Sequence, residues 1–124
     1  MNIKLQTNTE DPKLEFLNIE KYDDQSGFGS TISVVSNGFS SKVFATFEQW
    51  PMSEFISQLQ VCNNYLSGSA TLKPQWFITF TVKPNGHVVV NGLLCAYEQE
   101  LKFEFTTDQT CLNSLIKDFQ LWSN

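Results

Sequence analysis

A chain of 124 residues with 41% hydrophobic and 14% aromatic residues, including 11 Phe, can bury one packed core and is too apolar to stay disordered. Its net charge is -5, from 13 acids against 8 basic residues that are all Lys. Without the guanidinium fork that grips phosphate and guanine, an acidic chain of this kind is a poor nucleic-acid binder. The start "MNIKLQTNTEDPKLEF" has no apolar h-region, and no stretch approaches the ~20 apolar residues that cross a bilayer, so a cytoplasmic location and no membrane partner are expected.

Residues 10–24 gather six acids, Glu10, Asp11, Glu15, Glu20, Asp23 and Asp24, against Lys13 and Lys21. Within them "KLEFLNIE", residues 13–20, places Leu14 and Phe16 on one side and Leu17 and Ile19 on the other, a strand with a register break or bulge. The polar loop "YDDQSGFGS" leads to two β-rich runs around Asn37-Gly38, the strongest short hairpin signal. A two-residue turn there sets Ile32 opposite Val43 and Val34 opposite Ser41, and gives Ile32, Val34, Val43, Ala45 and Phe47 a common core side.

A helix is expected from about Met52 to Leu66, with Ser53 as N-cap, Trp50 pinning its start, and Phe55, Ile56, Leu59, Cys62 and Leu66 as its apolar stripe. Gly68 lies just past its end. "QWFITFTVK" then alternates, with Trp76, Ile78, Phe80 and Val82 on one face and Phe77, Thr79, Thr81 and Lys83 on the other. Pro84, Asn85 and Gly86 make a three-residue loop that pairs Lys83 with His87, Val82 with Val88, Phe80 with Val90 and Trp76 with Leu94. The last strand sends Leu101, Phe103 and Phe105 inward and Glu100, Lys102 and Glu104 outward. A closing helix begins near Asp108, a good N-cap, with Leu112, Leu115, Ile116 and Phe119 as its stripe and Trp122 anchoring the chain end.

These elements predict one α+β domain over residues 1–124. About six strands in the order β-ββ-α-ββ-β-α form a strongly curved antiparallel sheet, or two sheets, with two amphipathic helices. The two halves match loosely in architecture, with no residue-level repeat.

Raw material for catalysis is scarce. His87, the one histidine, projects from the less apolar face at a hairpin end, in reach of no predictable acid or nucleophile. Cys95 shares its strand but lies roughly 20 Å or more away, too far for a dyad. Cys62, Cys95 and Cys111 have no CxxC spacing and suit reduced core thiols better than a disulfide framework or zinc site. Carboxylate pairs at Asp23 and Asp24, or at Glu98 and Glu100, are the remaining acid–base material, and adjacent acids of this kind are ordinarily solvated. No catalytic residue, cofactor or metal is therefore expected.

Val89, Leu93, Phe77 and Cys95 project from the face opposite the core, so a helix or second sheet is expected to cover it; otherwise it lines a cavity for an apolar ligand or a homodimer contact.

Over residues 14–121 the layout resembles the small WapI-type immunity proteins of bacterial contact-dependent and polymorphic toxin systems, together with related uncharacterised small bacterial families. The resemblance is carried by "FATFEQW", "MSEFISQLQVCNNYL", "WFITFTVKPNGHVVVNG", "LKFEFTTD" and "LNSLIKDFQLW". It implies a cytoplasmic, non-catalytic protein that sequesters a toxin domain. Toxin-contacting residues differ widely among such proteins, so no binding site carries over residue by residue. From charge alone, an acidic surface complements a basic toxin partner. The expected contacts are Glu20, Tyr22, Asp23, Asp24 and Phe28, one acidic loop with aromatics. The alternatives are a binder of small apolar ligands and a homo-oligomeric structural protein.

Overall fold

The computed structural model describes residues 1–7, 9–73 and 77–123. Along the chain run β1 (Ile3–Leu5), β2 (Lys13–Lys21), β3 (Gly27–Ser36), β4 (Phe39–Glu48) and α1 (Gln49–Tyr65). The second half repeats the pattern with β5 (Gly68–Leu72), β6 (Phe77–Val82), β7 (His87–Ala96), β8 (Gln99–Asp108) and α2 (Thr110–Ser123). Strand pairing is antiparallel and sequential, giving two four-stranded sheets, β1-β2-β3-β4 and β5-β6-β7-β8. The α+β reading holds, and of the two layouts left open, one strongly curved sheet or two sheets, the structure has two sheets. Two short strands, β1 and β5, add to the six that were legible, each at the edge of its sheet.

Both hairpins adopt the expected registers. Ile32 faces Val43 and Val34 faces Ser41 across a turn in which Asn37 and Gly38 have φ of 52° and 82°. Phe80 faces Val90 and Val82 faces Val88, with the Lys83 amide donating to the His87 carbonyl at 2.8 Å and Gly86 at φ 87°. The expected pairing of Trp76 with Leu94 lies outside the described residues. In β2 the register shifts between Leu17 and Glu20, with Asn18 left-handed at φ 50°. That bulge turns Ile19 back into the core beside Leu14 and Phe16 instead of leaving it on the far side.

The core lies between the inner faces of the sheets and the two helices. Four phenylalanines join the layers: Phe16 of β2 meets Phe119 of α2 at 5.3 Å, Phe119 meets Phe55 of α1 at 5.9 Å, and Phe55 meets Phe80 of β6 at 5.7 Å. The α2 stripe of Leu112, Leu115, Ile116 and Phe119 is buried as expected, and Cys111 joins it.

The start of α1 differs from the sequence reading. β4 runs directly into the helix, with Glu48 in the N-cap position and no side-chain cap; the Gln49 amide is satisfied by the Ser26 carbonyl at 3.2 Å. Ser53 is already inside the helix, where its hydroxyl donates to the Gln49 carbonyl four residues back at 3.1 Å. Trp50, 75% exposed, pins nothing. Leu66, the left-handed C-cap at φ 57°, swings off the stripe and is 43% exposed, and Met52 is buried in the core instead.

Neither a helix nor another strand layer covers the outer face of the second sheet among the described residues: Phe77 is 39% exposed and Val89, Leu93 and Cys95 are half-buried. The expected cover is absent because both helices pack on the inner faces.

Candidate partner-binding face

The six acids of residues 10–24 divide into two groups. Glu10 pairs with Lys13 at 3.4 Å. Asp11 accepts the amides of Asn37 and Gly38 at 2.8 and 2.6 Å, holding the β3–β4 turn. Glu15, buried on β2, lies 3.0 Å from Lys13 and 3.4 Å from Lys4. Burial alone would raise its pKa, but the hydrogen bonds and charges of the two lysines outweigh it and leave the carboxyl below its ordinary value. These three carboxylates serve the fold.

Glu20, Asp23 and Asp24 stay exposed together at the β2–β3 end. Tyr22 donates its amide to the Gly27 carbonyl and accepts the Gln25 amide, closing the turn tightly. Asp24 accepts the amide and hydroxyl of Ser26 at 3.0 and 2.7 Å, and these bonds lower its pKa. It is therefore an ionised, oriented carboxylate.

The register places further residues beside this turn. Glu20 faces Gly29, which faces Thr46, and Gly27 faces Glu48, so Glu20 and Glu48 flank the same outer surface of the first sheet. Over Gly29 two aromatic side chains close in: a methyl at that position would fall 2.8 Å from the Tyr22 hydroxyl oxygen and 2.8 Å from Phe44 Cζ. Tyr22 and Phe44 are 38% and 65% exposed. The result is an aromatic pair rimmed by carboxylates, suited to a cationic side chain through ring-face and charge attraction.

Four of the five sequence-predicted contacts thus lie together. Phe28 does not join them: it is wholly buried, packed on Phe47 at 5.5 Å and edge-on to Trp122 at 4.4 Å. The loop reading failed there because β3 begins at Gly27 and turns Phe28 into the core. Lys21 sits over the Trp122 ring at 5.3 Å and donates to the Ser123 carbonyl at 3.1 Å, so it anchors α2. Phe44 and Glu48 were missed. Their signal was the hairpin's own alternation, which puts Phe44 opposite the core side of β4.

His87 has an acid in reach after all, since β8 brings Asp108 directly across from it. Asp108, however, accepts the Thr110 amide and hydroxyl at the start of α2, which with the nearby His87 lowers its pKa. The acid works as a helix cap. Burial raises the pKa of Cys62, keeping it a thiol. Among the described residues, no three His, Cys, Asp or Glu side chains group to hold a metal ion, and no helix is long and apolar enough to cross a membrane.

The sequence matches the profile of the Immunity protein WapI-like family over residues 4–122. The chain belongs to the WapI-like immunity protein family. Among solved structures, this WapI-like chain is similar to the Trypanosoma bruciei MRP1/MRP2 proteins, with 11% identity over 98% of this chain and 81% of that one and a TM-score of 0.57. That likeness concerns the fold alone. A protein of unknown function from the DUF155 family of Prochlorococcus sp. NATL2A aligns at 10% identity over 94% of this chain and 98% of the other, with a TM-score of 0.41. No curated protein matches the sequence.

Proposed function

We propose that this WapI-like chain is a non-catalytic, cytoplasmic immunity protein that neutralises a basic toxin domain with the β2–β3 end of its first sheet. The family implies a toxin partner. The observation that supports this face is the division of the acids. Glu15 is buried between two lysines, and Glu10 and Asp11, though exposed, pair with Lys13 and with the β3–β4 turn, whereas Glu20, Asp23 and the Ser26-oriented Asp24 lie exposed beside Tyr22, Phe44 and Glu48. Exposed carboxylates gathered at one end create a negative potential that complements and steers a partner of opposite sign. The carboxylates would speed and orient encounter with a basic surface, and the aromatic pair would supply the desolvated anchor that slows dissociation.

Affinity capture from source-cell lysate at low and high salt, with mass spectrometry of the retained proteins, tests the reading. A basic partner held at low salt and released at high salt is expected. The Asp23→Asn/Asp24→Asn double variant should weaken capture and flatten its salt dependence. Unchanged capture by that variant and by Phe44→Ala would remove this face from the proposal.

A further inference from the structure

We propose that the groove between α1 and the free edge of β5 takes an extended, basic segment of the toxin as a fifth strand of the second sheet, an inference that rests on the immunity reading above. Among the described residues, β5 pairs with β6 on one side only. Along a strand, the N–H and C=O of one residue point to the same side, and the direction alternates with the next residue. The Thr71 amide donates to Oε1 of Gln58 at 3.2 Å, so the main-chain groups of Thr71, and by the two-residue period those of Ser69, face away from β6.

They face a groove of about 560 Å³, walled by Ser69, Thr71 and Lys73 on one side and by Glu48, Glu54 and Gln58 on the other. Gln58 stands where a neighbouring peptide group would stand: its side-chain oxygen accepts from the edge while its nitrogen donates to Glu54 Oε1 at 3.4 Å. A strand added about 4.8 Å from β5 replaces that oxygen with a main-chain carbonyl, the way extended peptides lengthen sheets. Charge selects the occupant. Glu48 and Glu54 outnumber Lys73, so a segment carrying Lys or Arg on alternate residues meets carboxylates on the helix wall. Glu48 also flanks the Tyr22–Phe44 face, which makes groove and face continuous.

The test is a titration of the ¹⁵N-labelled full chain with the peptide acetyl-Lys-Val-Lys-Thr-Lys-Val-amide, beside its fully N-methylated counterpart. Shifts of the Ser69 and Thr71 amides and of the Gln58 side-chain amide are expected with the first peptide and not the second. Gln58→Ala should bind several-fold tighter because the place is vacated, and Glu54→Gln several-fold weaker at low salt. Three results overturn the proposal: no shift at β5 with millimolar peptide in either wild type or Gln58→Ala, equal binding of the methylated peptide, or Gln58→Ala pairing with itself instead of the peptide. The amide shifts of Ser69 and Thr71 report the groove, whereas lysate capture by Asp23→Asn/Asp24→Asn reports the β2–β3 face. Failure of the groove and failure of the β2–β3 face are therefore read separately.

Discussion

Gly29 and Gly92 are both strand glycines under aromatic side chains, and the same substitution is expected to have opposite outcomes at the two. A methyl at Gly92, facing the core on β7, would lie 2.5 Å from the Phe77 carbonyl oxygen and 2.9 Å from Phe103 Cε1 and Cζ. The oxygen is main chain in the paired strand β6 and would have to retreat by about 0.9 Å to restore ordinary contact. Such a retreat stretches adjacent ladder bonds from about 2.9 Å towards 3.5 Å, where they largely cease to count. Overpacking of about 1–3 kcal/mol plus one weakened bond of about 1 kcal/mol gives a loss of about 3 kcal/mol for Gly92→Ala. For a domain of this size that corresponds to a Tm lower by roughly 10–15 °C. At Gly29 the atoms nearest the methyl are the ends of two exposed side chains, which can rotate into solvent, so stability should change by less than about 1 kcal/mol. Partner affinity should nevertheless fall at least about tenfold, near 1.4 kcal/mol, because the aromatic pair is displaced. Thermal unfolding followed by circular dichroism measures the first quantity and titration against the captured partner the second. A Gly92→Ala protein melting within about 2 °C of wild type would refute the steric argument, and unchanged affinity of Gly29→Ala would refute the role given to Tyr22 and Phe44.

Acid should destabilise the chain. Glu15, Asp24 and Asp108 have pKa values lowered by folding, so the unfolded chain binds protons first and stability falls as pH drops from about 4 through those lowered values. Urea midpoints at pH 7 and pH 3 should therefore differ less in Glu15→Gln than in wild type; equal differences would remove Glu15 as a contributor. Phe119→Ala deletes the ring that joins β2 to α1 and should cost about 3–5 kcal/mol in urea unfolding, whereas a loss under about 1 kcal/mol would mean the layers hold without it. Phe28→Ala uncovers Trp122, so native-state Trp emission should shift to the red; an unchanged spectrum would contradict the packing of α2 on β3.

Local pattern made much of the fold legible. Alternation and turn chemistry specify which side of each long strand is apolar, and the stripes of Phe55, Ile56, Leu59 and Cys62 and of Leu112, Leu115, Ile116 and Phe119 specify the helix faces. β1 and β5 were not legible, because three and five residues carry too few periods to register and "GSATL" has the composition of a turn. They are strands because β2 and β6 offer them unpaired main-chain groups, a condition absent from their own residues.

The candidate face divides along the same line. That residues 10–24 are acidic, and that Phe44 stands opposite the core side of its strand, follows from the sequence by itself. Which acids are tied to distant strands does not. It depends on Lys4 and Lys13 reaching Glu15 and on Asp11 reaching the turn at Asn37, contacts made across paired strands. The meeting of Tyr22, Phe44 and Glu48, and the burial of Phe28 under Trp122, depend on the bulge between Leu17 and Glu20 and on where β3 begins. Periodicity is a property of neighbours along the chain and can be read there, whereas a bulge, a shared ion pair and a strand edge are settled by partners distant in sequence, and tertiary packing alone chose among them.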